Sequence, residues 1–301
     1  MTVAARAETE AAELGVGTAY TLLAAMGYAA VSTLTSLATA EHVSLFTVLA
    51  WRYTLAAAVL ASYVGARTFP RMPWHEAVRF IVVGGGGQAL LVGMALSSLR
   101  WIGVATLAFL FYTYPAWVTL VQTVRGAERP TVRRLVALAL SFGGTIVMVG
   151  APSGARLPWQ GVGLALGAAM TYGLYIPTIQ YLQKNHRVTV TSAYSKVGSA
   201  LCFLVLAVGN QSFTASLPVR AWEAVVALAL FSTVLPGVLF IMGLLRLGPV
   251  RTAIVSTVEP FLTAVLGAVV LGQALRGDTL LGGAMIVAAV VLLQFRRERV
   301  A

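Results

Sequence analysis

The chain has 301 residues, 58% hydrophobic and only 10% charged, with a mean hydropathy of +0.85. Soluble domains carry about a quarter charged residues, so this composition excludes a soluble fold and indicates an all-α, polytopic membrane protein. The net charge of +11 and the pI near 10.4 would suit nucleic acid, but the basic residues cluster at the ends of apolar segments, which is the pattern of membrane orientation. The lone cysteine, Cys202, lies in an apolar run, so no disulfide framework is expected.

Residues 1–14 carry Arg6, Glu8, Glu10 and Glu13 but no short apolar core or cleavage site; they are expected to form a cytoplasmic tail. Ten apolar segments follow, each near bilayer length: 15–39, 43–65, 76–99, 102–124, 132–150, 159–182, 189–209, 221–245, 249–271 and 278–295. Residues 296–301 form a second tail. With the first tail inside, 15 of the 21 Lys and Arg fall on the inner side and 4 on the outer side (Arg100, Arg156, Arg220 and Arg276). Arg52 and Lys196 lie within segments. This asymmetry favours both termini in the cytoplasm, and the chain is expected in the cell inner membrane.

Residues 17–28 (GTAYTLLAAMGY) match residues 161–172 (GVGLALGAAMTY) at six of twelve positions, including Tyr28 with Tyr172. At the same offset of 144, Arg52 falls on Lys196; at 145, Gly103 meets Gly248 and Pro115 meets Pro260. Each half holds five segments, an odd number, so the second copy enters from the opposite side. Residues 15–150 and 151–295 thus read as inverted repeats, an architecture that places a transport site at the midplane between them.

The ninth segment (residues 248–273, GPVRTAIVSTVEPFLTAVLGAVVLGQ) carries Glu259 followed by Pro260 at its centre. The proline kinks the helix, and a carboxylate at that depth is tolerated only against a cavity or a partner. Two roles stay open for Glu259: taking a proton or a substrate ammonium, and satisfying the donors freed at the break. Ser256 lies one turn before the proline with Thr257; such hydroxyls usually bond back to their own helix.

In the fourth segment Phe111, Tyr114 and Trp117 share a helical face, while Tyr112 points elsewhere. Tyr28 and Tyr172 are candidate cavity residues because the repeat sets them symmetrically about the midplane; Tyr175 lies one turn beyond. Trp101 reads as an outer interfacial anchor, with an outer gate as the other reading. Gly84 to Gly87 soften the third segment, followed by Gln88, which offers both a donor and an acceptor; Pro236 and Gly237 interrupt the eighth. Interrupted segments in corresponding halves point to the site or its hinge, so Gly84, Gly87, Pro115, Pro236, Gly237 and Pro260 are candidate hinges. Arg52 and Lys196 are expected to snorkel or pair with an acid, with binding of a substrate carboxylate as the other reading. No metal site, cofactor motif or catalytic set is apparent, so the chain does not read as an enzyme.

Residues 244–260 (LLRLGPVRTAIVSTVEP), their first-half version at 99–115 (LRWIGVATLAFLFYTYP) and GAERP at 126–130 resemble the drug/metabolite transporter superfamily, EamA type. The aromatic-rich fourth helix is most similar to YddG-type aromatic amino-acid exporters. Gln273 departs from the acid usual in the family. The resemblance implies a basket of helices one, three, four, six, eight and nine around a central cavity, with five and ten as support and two and seven outside. It implies a monomer, in contact with the bilayer, exporting aromatic and other neutral amino acids with protons as a candidate coupling ion. Export of another small metabolite or drug on the same scaffold is the alternative.

Overall fold

The computed structural model describes residues 3–66, 72–129, 131–150, 158–272 and 274–294; Gln273, Arg156 and the tail 296–301 lie outside them. Among the described residues, ten helices are long and apolar enough to cross a membrane: α1 (Ala12–Ala40), α2 (Leu45–Gly65), α3 (Trp74–Ser98), α4 (Val104–Val124), α5 (Val132–Val149), α6 (Trp159–Gln183), α7 (Val188–Gly209), α8 (Val219–Leu247), α9 (Pro249–Val270) and α10 (Gly277–Gln294). Their ends fall within a few residues of the sequence reading. Where a separate tail is expected, helix continues unbroken from Val3 into α1.

The helices form two inverted five-helix repeats. α1 packs on α8 as α6 packs on α3, α4 on α6 as α9 on α1, and α7 on α3 as α2 on α8; α2 meets α7, α4 meets α9, and α5 meets α10. Exchanging the halves leaves this set of pairings unchanged.

Four helices are interrupted, in matching positions. α4 breaks at Tyr112 (ψ 7°) and α9 at Thr257 (ψ −5°), just ahead of Tyr114-Pro115 and Glu259-Pro260. Proline lacks the donor that would continue the helix. A threonine hydroxyl takes up a carbonyl at each break: Thr113 donates to Leu110 O at 2.6 Å and Thr257 to Ile254 O at 2.7 Å. α3 and α8 each contain a π-helical turn, Phe80–Gly86 and Leu230–Val234, a distortion that recurs at functional sites.

The glycines of α3 let it approach α7 backbone to backbone: a Cβ on Gly85 would lie 2.5 Å from Gly198 Cα and 2.5 Å from Ser195 O. Such close approach is how helices associate in lipid, where no hydrophobic force drives them together. At the other end of α2, Trp51 Nε1 donates to Thr214 O at 3.0 Å and its ring packs against Phe213 and Trp222. That contact ties α2 to the segment between α7 and α8.

Candidate functional site

A cavity of about 230 Å³ lies at the centre of the bundle. Tyr28 and Val31 of α1, Gln88 of α3, Phe111 of α4, Tyr172 and Tyr175 of α6, Gly237 and Phe240 of α8 and Glu259 of α9 all line it. So do Arg52 and Tyr53 of α2, and Thr191, Ser192, Ser195 and Lys196 of α7. No residue of α5 or α10 does, and those two helices pack on each other. The expectation that α2 and α7 sit outside the basket is therefore corrected. Glycine contacts between α3 and α7 draw α7 inward, and Arg52 reaches from α2 to the π turn of α8.

Six of the eight expected substrate-contacting residues share this cavity: Tyr28, Gln88, Phe111, Tyr172, Tyr175 and Glu259. Tyr114 and Ser256 do not line it; they are 2% and 6% exposed within the packed core. The Tyr114 ring stays 5.7 Å from that of Phe111 across the turn at Tyr112 and Thr113 and packs on Tyr172 at 4.8 Å, behind the cavity wall. Phe111 stacks on Tyr172 at 5.7 Å and 15° at the cavity wall. Tyr114 turns toward α9, its Oη donating to Ala253 O at 3.1 Å. Trp117 packs beside Gly173, where a Cβ would meet its own at 2.5 Å. Tyr112 points to a separate crevice against α5, as the wheel predicts.

The hinge candidates divide. Gly84 accepts a hydrogen bond from Tyr175 Oη at 3.1 Å, and a Cβ on Gly87 would lie 3.1 Å from the Tyr175 ring. Gly237 lines the cavity. Pro236 sits against Gly27, and Pro115 and Pro260 each open the helix after their break. Trp101 is half-exposed beside Gly161.

The cavity is sealed at the end where α6 joins α7. Phe80, Gln183 and Thr191 are buried there; Thr191 donates to Gln183 Oε1 at 2.6 Å, and Gln183 Nε2 to His186 O at 2.9 Å. Below Phe80, His186 Nε2 lies 3.6 Å from Glu76 Oε2. At this end the half-helices Tyr114–Val124 and Pro249–Ser256 pack together, the second buried almost throughout. The opposite halves, Val104–Phe111 and Glu259–Leu271, do not pack closely on each other, and residues 259–270 are largely part-exposed.

Arg52 and Lys196 also depart from expectation. Each is 7% exposed, so neither snorkels, and neither forms an ion pair with a described residue. Their partners are neutral: Thr233 and Ser232 O for Arg52, Gln88 for Lys196. Arg52 and Lys196, for which substrate-carboxylate binding was the second reading, line the cavity together with Tyr53 and Thr191, which sequence reasoning passed over. The offset of 144 that pairs Arg52 with Lys196 is the signal for the first two.

A bundle of two inverted repeats closed around a polar and aromatic midplane cavity is the architecture of a membrane transporter for small molecules. The chain belongs to the EamA-like transporter family, which matches it twice, over residues 15–150 and 159–295. An uncharacterized transporter of Archaeoglobus fulgidus is 26% identical over 204 residues, spanning 67% of this chain and 72% of that protein. A solved crystal structure, described only as that of a protein, is similar with a TM-score of 0.80 at 21% identity, covering 92% of this chain and 96% of the other. At that identity the likeness concerns the fold.

Proposed function

We propose that the protein exports amino acids, aromatic and other neutral ones first, by alternating access through the central cavity. The observation that carries this reading is the presence in one cavity of a single acid, Glu259, and an aromatic wall of Tyr28, Phe111, Tyr172 and Tyr175. A carboxylate at membrane depth suits an ammonium group, and apolar walls with a few polar tips suit a small organic side chain. The resemblance of the aromatic-rich fourth helix to YddG-type exporters supports the outward direction.

On this reading the protein sits as a monomer in the cell inner membrane, with both termini cytoplasmic as the basic residues favour. The two halves, 15–150 and 151–295, rock about the interruptions in α3, α4, α8 and α9, and protons couple through Glu259. The apolar strip of Val31, Leu91, Val92 and Ile241 in the same cavity favours a second reading, export of another small metabolite or drug.

Counterflow of labelled phenylalanine in proteoliposomes, at two imposed pH gradients and with unlabelled competitors, tests the proposal. Aromatic and aliphatic amino acids compete if it holds. No amino-acid flux from folded protein removes this substrate class and leaves the second reading.

A further inference from the structure

Arg52 and Lys196 occupy equivalent places in the two halves, and each is held by the third helix of the other half. Arg52 Nε donates to Thr233 Oγ1 at 2.6 Å and Nη2 to Ser232 O at 2.9 Å, both in the π turn of α8. Lys196 Nζ donates to Gln88 Oε1 at 2.8 Å, just beyond the π turn of α3. The two cations flank one ring: the guanidinium carbon lies 5.3 Å and the ammonium nitrogen 5.4 Å from the Tyr53 centroid. Tyr28 Oη and Lys196 Nζ both lie 3.9 Å from where a Cβ on Gly237 would stand, so the tyrosine hydroxyl joins this corner.

Two basic side chains are thus gathered at membrane depth, with neutral partners only among the described residues. A charged side chain at the bilayer centre costs about 3 kcal/mol even on the mildest scale, and a buried ion without a counter-charge is strongly unfavourable. Anchoring the π turns does not account for the arrangement, because an amide or hydroxyl would do that without charge. Nor does it use the available donors. Arginine has five N–H groups and lysine three, and most remain unspent beside the cavity that both residues line.

We propose that Arg52 and Lys196 form an anion site that takes the carboxylate of the transported molecule. The cavity is then dipolar, with the carboxylate held between α2 and α7 and an ammonium directed to Glu259 on α9. For the zwitterion this rests on the amino-acid reading above; the anion site itself rests on the cations. It selects amino acids and organic acids over amines and uncharged drugs.

Binding of L-phenylalanine, 3-phenylpropionate and phenethylamine to the purified full chain, measured by calorimetry, separates these statements. Wild type binds the first two. Lys196→Gln weakens both about tenfold to a hundredfold, the range for losing a charged hydrogen bond, and leaves phenethylamine unchanged. Arg52→Lys, which keeps the charge but loses the fork, gives a smaller loss on the same two probes. Glu259→Gln weakens phenylalanine but not 3-phenylpropionate. If wild type binds 3-phenylpropionate but not phenylalanine, and Lys196→Gln abolishes that binding, the amino-acid reading fails and the anion site stands. The anion site is overturned if Lys196→Gln, with an unchanged thermal transition, binds 3-phenylpropionate as wild type does. Binding of phenethylamine alone, or of none of the three by wild type, overturns it as well.

Discussion

The breaks in α4 and α9 are the same backbone device with different chemistry. Tyr114 and Glu259 each precede the proline that opens the second half of their helix. Tyr114 is buried and its hydroxyl locks α4 to α9. Glu259 faces the cavity and makes no hydrogen bond or ion pair to another described residue. An inverted repeat duplicates the interruption; here one copy carries a fastening and the other a carboxylate at the cavity wall. The π turns differ in the same way. That of α3 is glycine-rich and permits backbone contact with α7, whereas that of α8 presents Ser232 and Thr233 to Arg52.

The strongest way to break this comparison is to exchange the chemistry at the two prolines. Glu259→Gln is expected to abolish the response of flux to an imposed pH gradient and to lower flux more than about tenfold, with folding intact; an unchanged pH response in proteoliposomes would argue against a coupling role. Gly87→Leu should push on the Tyr175 ring and cut flux by about tenfold or more while the thermal transition in detergent moves little; full activity there would move the site elsewhere in the bundle.

Gly85→Val, by contrast, has no room against Gly198 and Ser195 and is expected to destabilise the fold by about 3 kcal/mol. Its neighbour sharpens the point. A Cβ on Gly86 meets nothing within 4 Å, so Gly86→Ala should stay within about 1 kcal/mol of wild type. Equal effects at the two glycines, read from thermal unfolding, would refute backbone contact as the role of this run. The smallest effect is expected of Tyr114→Phe, which loses one hydrogen bond worth about 1 kcal/mol and leaves flux within about twofold of wild type. A flux defect as large as that of Glu259→Gln would return Tyr114 to the substrate-contacting set.

Several cavity-lining residues were legible before the fold was known. Tyr28 and Tyr172 stand out because an internal match of twelve residues sets them in register, and Glu259 because a carboxylate in a membrane helix demands a reason. For Tyr114 the shared face with Phe111 was legible, since the two rings lie 5.7 Å apart, but its hydrogen bond to Ala253 O in the other half was not. The neutral partners of Arg52 and Lys196 were hidden for another reason. Gln88 and Thr233 lie more than a hundred residues away in sequence, so no local pattern ties them to the cations.

The sequence by itself determined the ten membrane spans, their division into two copies and the break at Glu259-Pro260. Each follows from local rules: the thickness of the bilayer, the odd number of spans per copy and the missing donor of proline. Only the tertiary structure decided that α2 and α7 join the cavity wall, that Tyr114 is fastened to α9 behind it, and that two cations meet around one tyrosine ring. Those outcomes depend on how closely glycine-bearing helices approach and on which side chains meet across the two copies. Both are set by packing between the halves.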